Sequence, residues 1–264
     1  MDSALEIANR VTTAYRSLDG LAFAYGQGPV IAGFTNDSDL DLIMVWDGDP
    51  PKVRSQAMAD LHNGPGKPLQ HDYPGFSLDR FWVNGEQIEV SHKSHETFSG
   101  WIRDIRSGWG WEDSDSTMPL YAIAGFAYGR MFIDENGLAA AARSDLTSFP
   151  PLLIERSRTV LEAELPSYER DLAGSARRGD GLLFHELLSR VLRHALVAWF
   201  SAEHRYCPHP KWLQHWIARF GMDSRIASLE RSLWLPITLE RRREVFVSMA
   251  ERILDQKREQ PDAG

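Results

Sequence analysis

The run TNDSDLDLIMVW, residues 35–46, most narrows what this chain can fold into. In an extended segment, residues two apart share a face. Asp39 and Asp41 therefore project together and Ile43 and Val45 continue their face, while Leu40 and Leu42 turn to the other side. The apolar stretch and the exit at Gly48-Asp49-Pro50 mark a strand over Asp39–Trp46. Carboxylates at the end of a buried strand are costly unless something positive meets them. Two of them suit Mg²⁺, which takes a few carboxylate oxygens and leaves positions for substrate phosphates. An EF-hand loop starting at Asp37 needs Gly where Leu42 stands and Glu where Gly48 stands, so it fails. The segment also lacks the Gly-Lys-Ser/Thr ending of a Walker loop and the GxGxxG fingerprint. Taken alone, the Asp-x-Asp pattern describes an acidic solvated turn as well as a metal site.

A third carboxylate bears on that choice. Asn84-Gly85 is the dipeptide best suited to a tight type I′ hairpin turn, which makes Phe76–Val83 and Glu86–Ser91 a pair of antiparallel strands. Ile88 and Val90 then face the core, and Glu89 lies on the side of Gln87 and Ser91. If this strand lies beside the Asp39 strand, three carboxylates converge on one face. On its own, Glu89 reads as the solvent side of an amphipathic strand.

The remainder divides into two halves. Ser3–Leu18 has the spacing of an amphipathic helix, LAFAY is a short strand, GQGPVIAGFTNDS is a glycine-bearing connection, and DPPKVRSQAMADLHN is a helix. From Pro150 on, the pattern is helical: Pro150–Leu172, then a separator GSARRGDG, then Gly181–His204, PHPKWLQHWIARF and TLERRREVFVSMAERILDQ. The expected fold class is α+β. A domain over 1–148 holds a small mixed sheet flanked by helices, an all-α bundle follows over 149–258, and 259–264 form a tail.

A formal net charge of −8 disfavours non-specific binding to DNA. The single cysteine, Cys207, cannot close an intramolecular disulfide, no stretch is long and apolar enough to span a bilayer, and the start has no signal-peptide pattern. These features lead to the expectation of a cytoplasmic protein without membrane partners.

GPVIAGFTNDSDLDLIMVW, followed later by QIEVSHKS, resembles the DNA polymerase beta-like nucleotidyltransferase superfamily. Its pattern is a Gly-Ser turn, a further Gly, Asp-x-Asp on one strand and a third acidic residue on a later strand. The likeness is to the bacterial small-molecule branch that includes aminoglycoside nucleotidyltransferases, and SAEHRYCPHPKWL is similar to a segment of some of those proteins. The resemblance implies that Asp39 and Asp41 hold two Mg²⁺ ions, with Glu89 as third carboxylate, ligand or general base. It implies that Gly28 and Gly33 shape the turn approaching the triphosphate, with Ser38 adding a hydroxyl, and Lys211 is a candidate to reach the phosphates as a point charge. Pro29 departs from the pattern, since it offers neither the hydroxyl nor the N–H of the family serine. The implied reaction moves a nucleoside monophosphate from a nucleoside triphosphate, ATP being the expected one, to a hydroxyl of a small acceptor. An RNA or protein acceptor, or a degenerate chain that only binds nucleotide, are the alternatives.

Other features read as structural. His204, Cys207 and His209 lack a second ligand pair at zinc-finger spacing. His92 and His95 read as surface histidines after a strand, and the basic clusters SARRGDG and ERRRE as solvated helix faces.

Overall fold

The computed structural model describes residues 3–73, 76–112 and 119–256; the tail expected over 259–264 lies outside the described residues. The chain divides into two compact units, Met1–Arg103 with Ala122–Ser148, and Asp104–Tyr121 with Phe149–Gly264.

The first unit is built on a six-stranded mixed sheet. Its strands are β1 (Leu21–Gln27), β2 (Leu40–Trp46), β3 (Leu69–Tyr73), β4 (Phe76–Val83), β5 (Glu86–Ser94) and β6 (Arg130–Ile133), in the order β3-β4-β5-β2-β1-β6. β2 and β5 run parallel, and the other neighbours pair antiparallel. The β4–β5 hairpin turns at Asn84 and Gly85, with φ of 52° and 90°, the left-handed values a type I′ turn requires. Alternation decides what each face buries. Leu40, Leu42, Met44 and Trp46 of β2 join Ile88 and Val90 of β5 and Phe81 and Val83 of β4 against Ile7, Val11 and Tyr15 of α1 (Ala4–Arg16) and Met58 of α3 (Arg54–Leu61). Ser3 caps α1 through a reciprocal capping box with Glu6. On the other face Phe23 and Tyr25 of β1 meet Phe98 of α4 (His95–Arg106) and Phe126 of α5 (Pro119–Tyr128), with ring centroids 4.9–6.4 Å apart. A fully buried large apolar side chain contributes about 1.5–3 kcal/mol. Leu42, Met44 and Trp46, at most 1% exposed, therefore anchor β2 firmly enough to hold acidic residues at its mouth.

The connection expected over GQGPVIAG contains a short helix, α2 (Gly28–Ala32), with Pro29 in its first turn and Gly33 closing it at φ 73°. Proline suits that first turn because its fixed φ is helical and its missing N–H is one that the helix leaves unbonded. α6 (Leu138–Thr147) completes the unit.

The second unit is helical: α7 (Pro151–Arg178), α8 (Gly181–Ala202), α9 (Leu213–Phe220), α10 (Ser224–Ser232) and α11 (Leu239–Asp255). α7 runs six residues past the expected end at Leu172, through Ala173, Ala176, Arg177 and Arg178, and Gly179 at φ 69° terminates it. Alanine and arginine are strong helix formers, so the break falls at Gly179-Asp180, where Asp180 caps α8. The third helix begins at Leu213 instead of Pro208, because Pro208 and Pro210 keep the preceding segment irregular. Residues 104–121, expected in the N-terminal domain, belong to this unit: Trp111 meets His194 edge-on at 5.6 Å, Arg156 lies 3.9 Å over Trp109, and the backbone of Gly108 abuts Leu152. No described helix is long and apolar enough to cross a membrane.

Candidate active site at the carboxylate end of the sheet

The parallel pairing of β2 with β5 sets Asp41 directly opposite Glu89. Residues opposite one another on adjacent strands point to the same face, so these two carboxylates are neighbours. The register continues in both directions, Gln27 of β1 standing opposite Asp41 and Arg80 of β4 opposite Glu89. The result is a polar row, Gln27, Asp41, Glu89, Arg80, crossing four strands. Asp39 precedes β2 by one residue and accepts a 2.8 Å hydrogen bond from the Ser38 hydroxyl at Oδ1.

Arg80 holds Glu89 by two bonds that converge on Oε2, 2.6 Å from Nη2 and 3.2 Å from Nε. The hydrogen bond Arg80 donates to Glu89 foremost, and then the negative charges of Glu89 and Asp39, raise the guanidinium pKa above its usual value. Gly28 completes the geometry. It has φ 80°, and a Cβ there would lie 2.2 Å from Asp41 Oδ2, so the chain passes directly against that carboxylate. Gln27 lies with its amide oxygen buried and without a hydrogen-bond partner, packed where a side chain on Gly125 of α5 would otherwise be.

Of the residues read from the sequence, Asp39, Asp41, Glu89, Gly28 and Ser38 meet at this end of the sheet. Ser38 bonds to Asp39, and Gly33 closes α2 with open space where a side chain would be. Lys211 lies in the second unit, exposed, its backbone N–H donating to His209 Nδ1 at 3.1 Å. Sequence reasoning missed Arg80 and Gln27. The signal was available for Arg80, because an Asn-Gly hairpin turn fixes the cross-strand partners, and counting back from Asn84-Gly85 pairs Arg80 with Glu89. Gln27 needs the β1–β2 register, which no local motif announces.

The donor set can be tested against the divalent cation that the motif implies. Asp39, Asp41 and Glu89 offer hard carboxylate oxygens of the kind Mg²⁺ takes, and the bare Cα of Gly28 leaves the approach to Asp41 open. The donor types suit Mg²⁺, but among the described residues no three His, Cys, Asp or Glu side chains are brought together to hold a metal.

The opposite face of the same hairpin corrects the surface reading of His92. Its side chain is fully buried, on the side of Ile88 and Val90, as period two along β5 requires. The Trp46 indole N–H donates to His92 Nδ1 at 3.1 Å, and His92 Nε2 is 3.0 Å from Asp79 Oδ2. Indole nitrogen only donates, so Nδ1 carries no proton and the neutral ring donates from Nε2 to Asp79. Tyr15 also donates to Asp79 Oδ2 at 2.7 Å, Arg54 approaches Oδ1 at 3.4 Å, and Arg54 pairs with Asp72, which Ser77 bonds. Burial pushes the His92 pKa down. Burial alone would push the Asp79 carboxyl up, but the hydrogen bonds from His92 and Tyr15 and the Arg54 charge outweigh it and hold it below the usual range. His95 is partly buried at the start of α4, edge-on to Phe23 at 6.4 Å.

Cys207 is buried, its thiol pushed up by that burial, and it contacts the Pro208 carbonyl at 3.6 Å. His209 packs edge-on to Tyr121 at 5.2 Å, so this segment is a packing motif.

Residues 116–213 match a family described as a domain of unknown function (DUF4037), a span of less than half the chain that excludes the carboxylate row. No curated protein matches the sequence. Among solved structures, a nucleotidyltransferase-like protein from Exiguobacterium sibiricum 255-15 is similar at 13% identity with a TM-score of 0.46, over 96% of this chain and 74% of that one.

Proposed function

We propose that this chain is a nucleotidyltransferase that moves a nucleoside monophosphate from a nucleoside triphosphate to a hydroxyl of a small acceptor. The observation that carries the reading is the in-register pairing of Asp41 with Glu89 on adjacent parallel strands, with Asp39 one step ahead and Gly28 against Asp41. That arrangement supports the motif-level resemblance, in which the same three carboxylates act together.

In the reaction the acceptor oxygen forms a bond to the α-phosphorus, the bond to pyrophosphate breaks, and the acceptor proton leaves to a base. Asp39, Asp41 and Glu89 are the residues that would hold the divalent cations the motif implies, and when bound these would neutralise charge on the phosphates. Glu89 is the carboxylate best placed to take the proton: both Arg80 bonds fall on Oε2, so Oε1 lies outside that pairing. Gly28 gives the substrate close approach to Asp41. Lys211 is kept as a candidate phosphate contact, and ATP as the expected co-substrate.

A small acceptor is favoured over RNA by the state of the basic cluster ERRRE. Arg241 is paired with Glu244, Arg243 with Glu240 and Glu169, and Arg242 with the carbonyls of Leu233 and Leu235. Arginines committed to internal partners make a poor phosphate-backbone track.

The test is transfer from each of four α-labelled nucleoside triphosphates with Mg²⁺ to a panel of aminoglycosides and other polyols, in wild type and Asp39→Asn. Loss of labelled product in the variant with melting unchanged is the expected result. Full transfer by Asp39→Asn overturns the assignment. Binding is read independently by thermal stability, where a triphosphate at 100 times its Kd adds about 2.7 kcal/mol.

A further inference from the structure

The sheet face that carries Glu89 at one end carries an amine with no acid beside it at the other. On β5, Glu89, Ser91 and Lys93 alternate with the buried Ile88, Val90 and His92, so Lys93 shares the Glu89 face, about 13 Å further along the strand. Phe76 and Leu78 share the Arg80 face of β4 by the same period, and Tyr73 of β3 pairs with Phe76, their rings stacked at 5.9 Å. Phe76, Leu78 and Ser91 are only partly buried and Tyr73 is 54% exposed, so this stretch of the face is open to solutes.

Lys93 Nζ lies 3.7 Å from the centroid of the Phe76 ring and 5.3 Å from that of Trp101 on α4. Two ring faces attract an ammonium, but they leave its three N–H donors without an oxygen acceptor. Among the described residues no carboxylate pairs with Lys93, and burial alone pushes its pKa down to about 8. Arg54, buried on the opposite face, has both Asp72 and Asp79. A cation drawn partly out of water without an anion is costly, so the place beside Lys93 suits an anion that a ligand brings. One amine balances one negative charge, which fits a carboxylate better than a phosphate monoester with its charge of about −1.5 to −2.

We propose that Lys93, Phe76 and Trp101 form a subsite for the carboxylate of an aromatic small molecule, whose ring lies along Phe76 and Tyr73. Binding there stands on Lys93 and its rings alone. Its assignment to the acceptor rests on the nucleotidyltransferase reading of the other end of the face. On that reading the acceptor is an anionic aromatic alcohol long enough to reach from Lys93 to the carboxylate row. A polycationic aminoglycoside would meet Lys93 with like charge.

The experiment compares benzoate with benzamide, and 4′-(hydroxymethyl)biphenyl-4-carboxylate with its amide, binding to wild type, Lys93→Met and Lys67→Met. Methionine keeps an apolar stem against the two rings and removes the charge. Binding is followed by NMR of protein carrying ¹³C-labelled lysine, in which the Cε signal of Lys93 is the one of five that Lys93→Met removes. Each carboxylate is expected to bind wild type about tenfold more tightly than its amide, the effect of a charge-assisted hydrogen bond. It should also move the Lys93 titration upward, because a neighbouring anion favours the charged amine. The tenfold preference should vanish in Lys93→Met and persist in Lys67→Met, which removes an exposed lysine. Carboxylates that bind no better than their amides overturn the subsite, as does a preference that survives Lys93→Met or is lost equally in Lys67→Met. Displacement of benzoate by ATP would make Lys93 a nucleotide contact and overturn it as well.

Transfer from α-labelled triphosphate separates this inference from the reading beneath it. Transfer to the biphenyl carboxylate is expected, falling to the level of its amide in Lys93→Met. Polyols labelled while the biphenyl carboxylate is not, or carboxylate and amide labelled equally by wild type, overturn the acceptor assignment. Carboxylate binding with no transfer to any acceptor overturns the transferase reading and leaves the subsite standing.

Discussion

The two faces of the β4–β5 hairpin carry the same kinds of residue under opposite regimes. On the α1 face, Asp79 is fully buried and accepts from Tyr15, His92 and Arg54, while Trp46 fixes the imidazole that serves it. One residue along β4 and facing the other way, Arg80 is set against Glu89 with Asp41 and Asp39 beyond. The buried carboxylate is surrounded by donors, whereas on the open face Glu89 pairs with a half-exposed guanidinium. A buried charge survives only when its donors are all present. An exposed ion pair contributes little to stability by itself. Neighbouring positions of β4 thus separate a buried structural network from the solvent-accessible face that carries the candidate site.

The sharpest way to break this contrast is Asp79→Ala. It leaves the 1%-exposed Arg54 with a buried charge facing a cavity and strands the Tyr15 hydroxyl and His92 N–H. Breaking a buried pair costs about 3–5 kcal/mol, and urea denaturation should show a loss of that size. A loss below about 1 kcal/mol, the scale of an exposed pair, would remove the distinction between the faces.

Gly28→Ala is expected to have the next largest effect. A side chain at φ 80° costs about 1–2 kcal/mol, and its Cβ would sit 2.2 Å from Asp41 Oδ2. Stability should fall by that modest amount while transfer falls as far as in Asp41→Asn, because the displaced carboxylate is one the proposed reaction uses. Equal activity in wild type and Gly28→Ala would separate Gly28 from the site.

His92 sharpens the comparison through pH. Its folded-state pKa lies below the ordinary 6.5, so the stability it contributes is complete above that value. As pH falls below 6.5 the unfolded chain takes up a proton that the folded chain refuses, and stability declines by at most about 1.4 kcal/mol per pH unit. Asp79, depressed below 3.8, adds its own loss only at lower pH, as pH falls through its folded value. Denaturation of wild type and His92→Gln at pH 7, 6 and 5 should give curves that differ in slope. Parallel curves would mean that His92 has the same pKa in the folded and unfolded chain.

The carboxylates were legible before the structure because they sit on signals that are local. Period two places Asp39 with Asp41, Asn84-Gly85 fixes the hairpin, and Ile88 and Val90 orient Glu89. That β2 and β5 are neighbours is a property of sheet order, which no local pattern encodes. The same period two also buries His92, and the surface reading gave its polarity more weight than its alternation with Val90. Residues 104–121 escaped because their tryptophans bind them to a distant part of the sequence. Four of the five C-terminal helices were read, with boundary errors at Gly174 and Pro208, while α10 (Ser224–Ser232) was missed.

The smallest expected effect tests whether the polar row is held in place at its β1 end. Gly125 lies within α5, where alanine ordinarily stabilises a helix by about 1 kcal/mol. A Cβ there, however, would fall 1.9 Å from the buried Gln27 Oε1 and 2.9 Å from its Cδ. The propensity gain and the displacement of Gln27 oppose each other, so Gly125→Ala should change stability by less than about 0.5 kcal/mol in wild type. In Gln27→Ala the obstacle is gone, and the same substitution should recover the full gain of about 1 kcal/mol. Equal gains in both backgrounds would mean that Gln27 swings aside freely and that the row is fixed from Asp41 outward only. Unequal gains would make Gly125 the reason Gln27 stands beside Asp41, and the α5 face would then be as much a determinant of the site as the strands that carry its carboxylates.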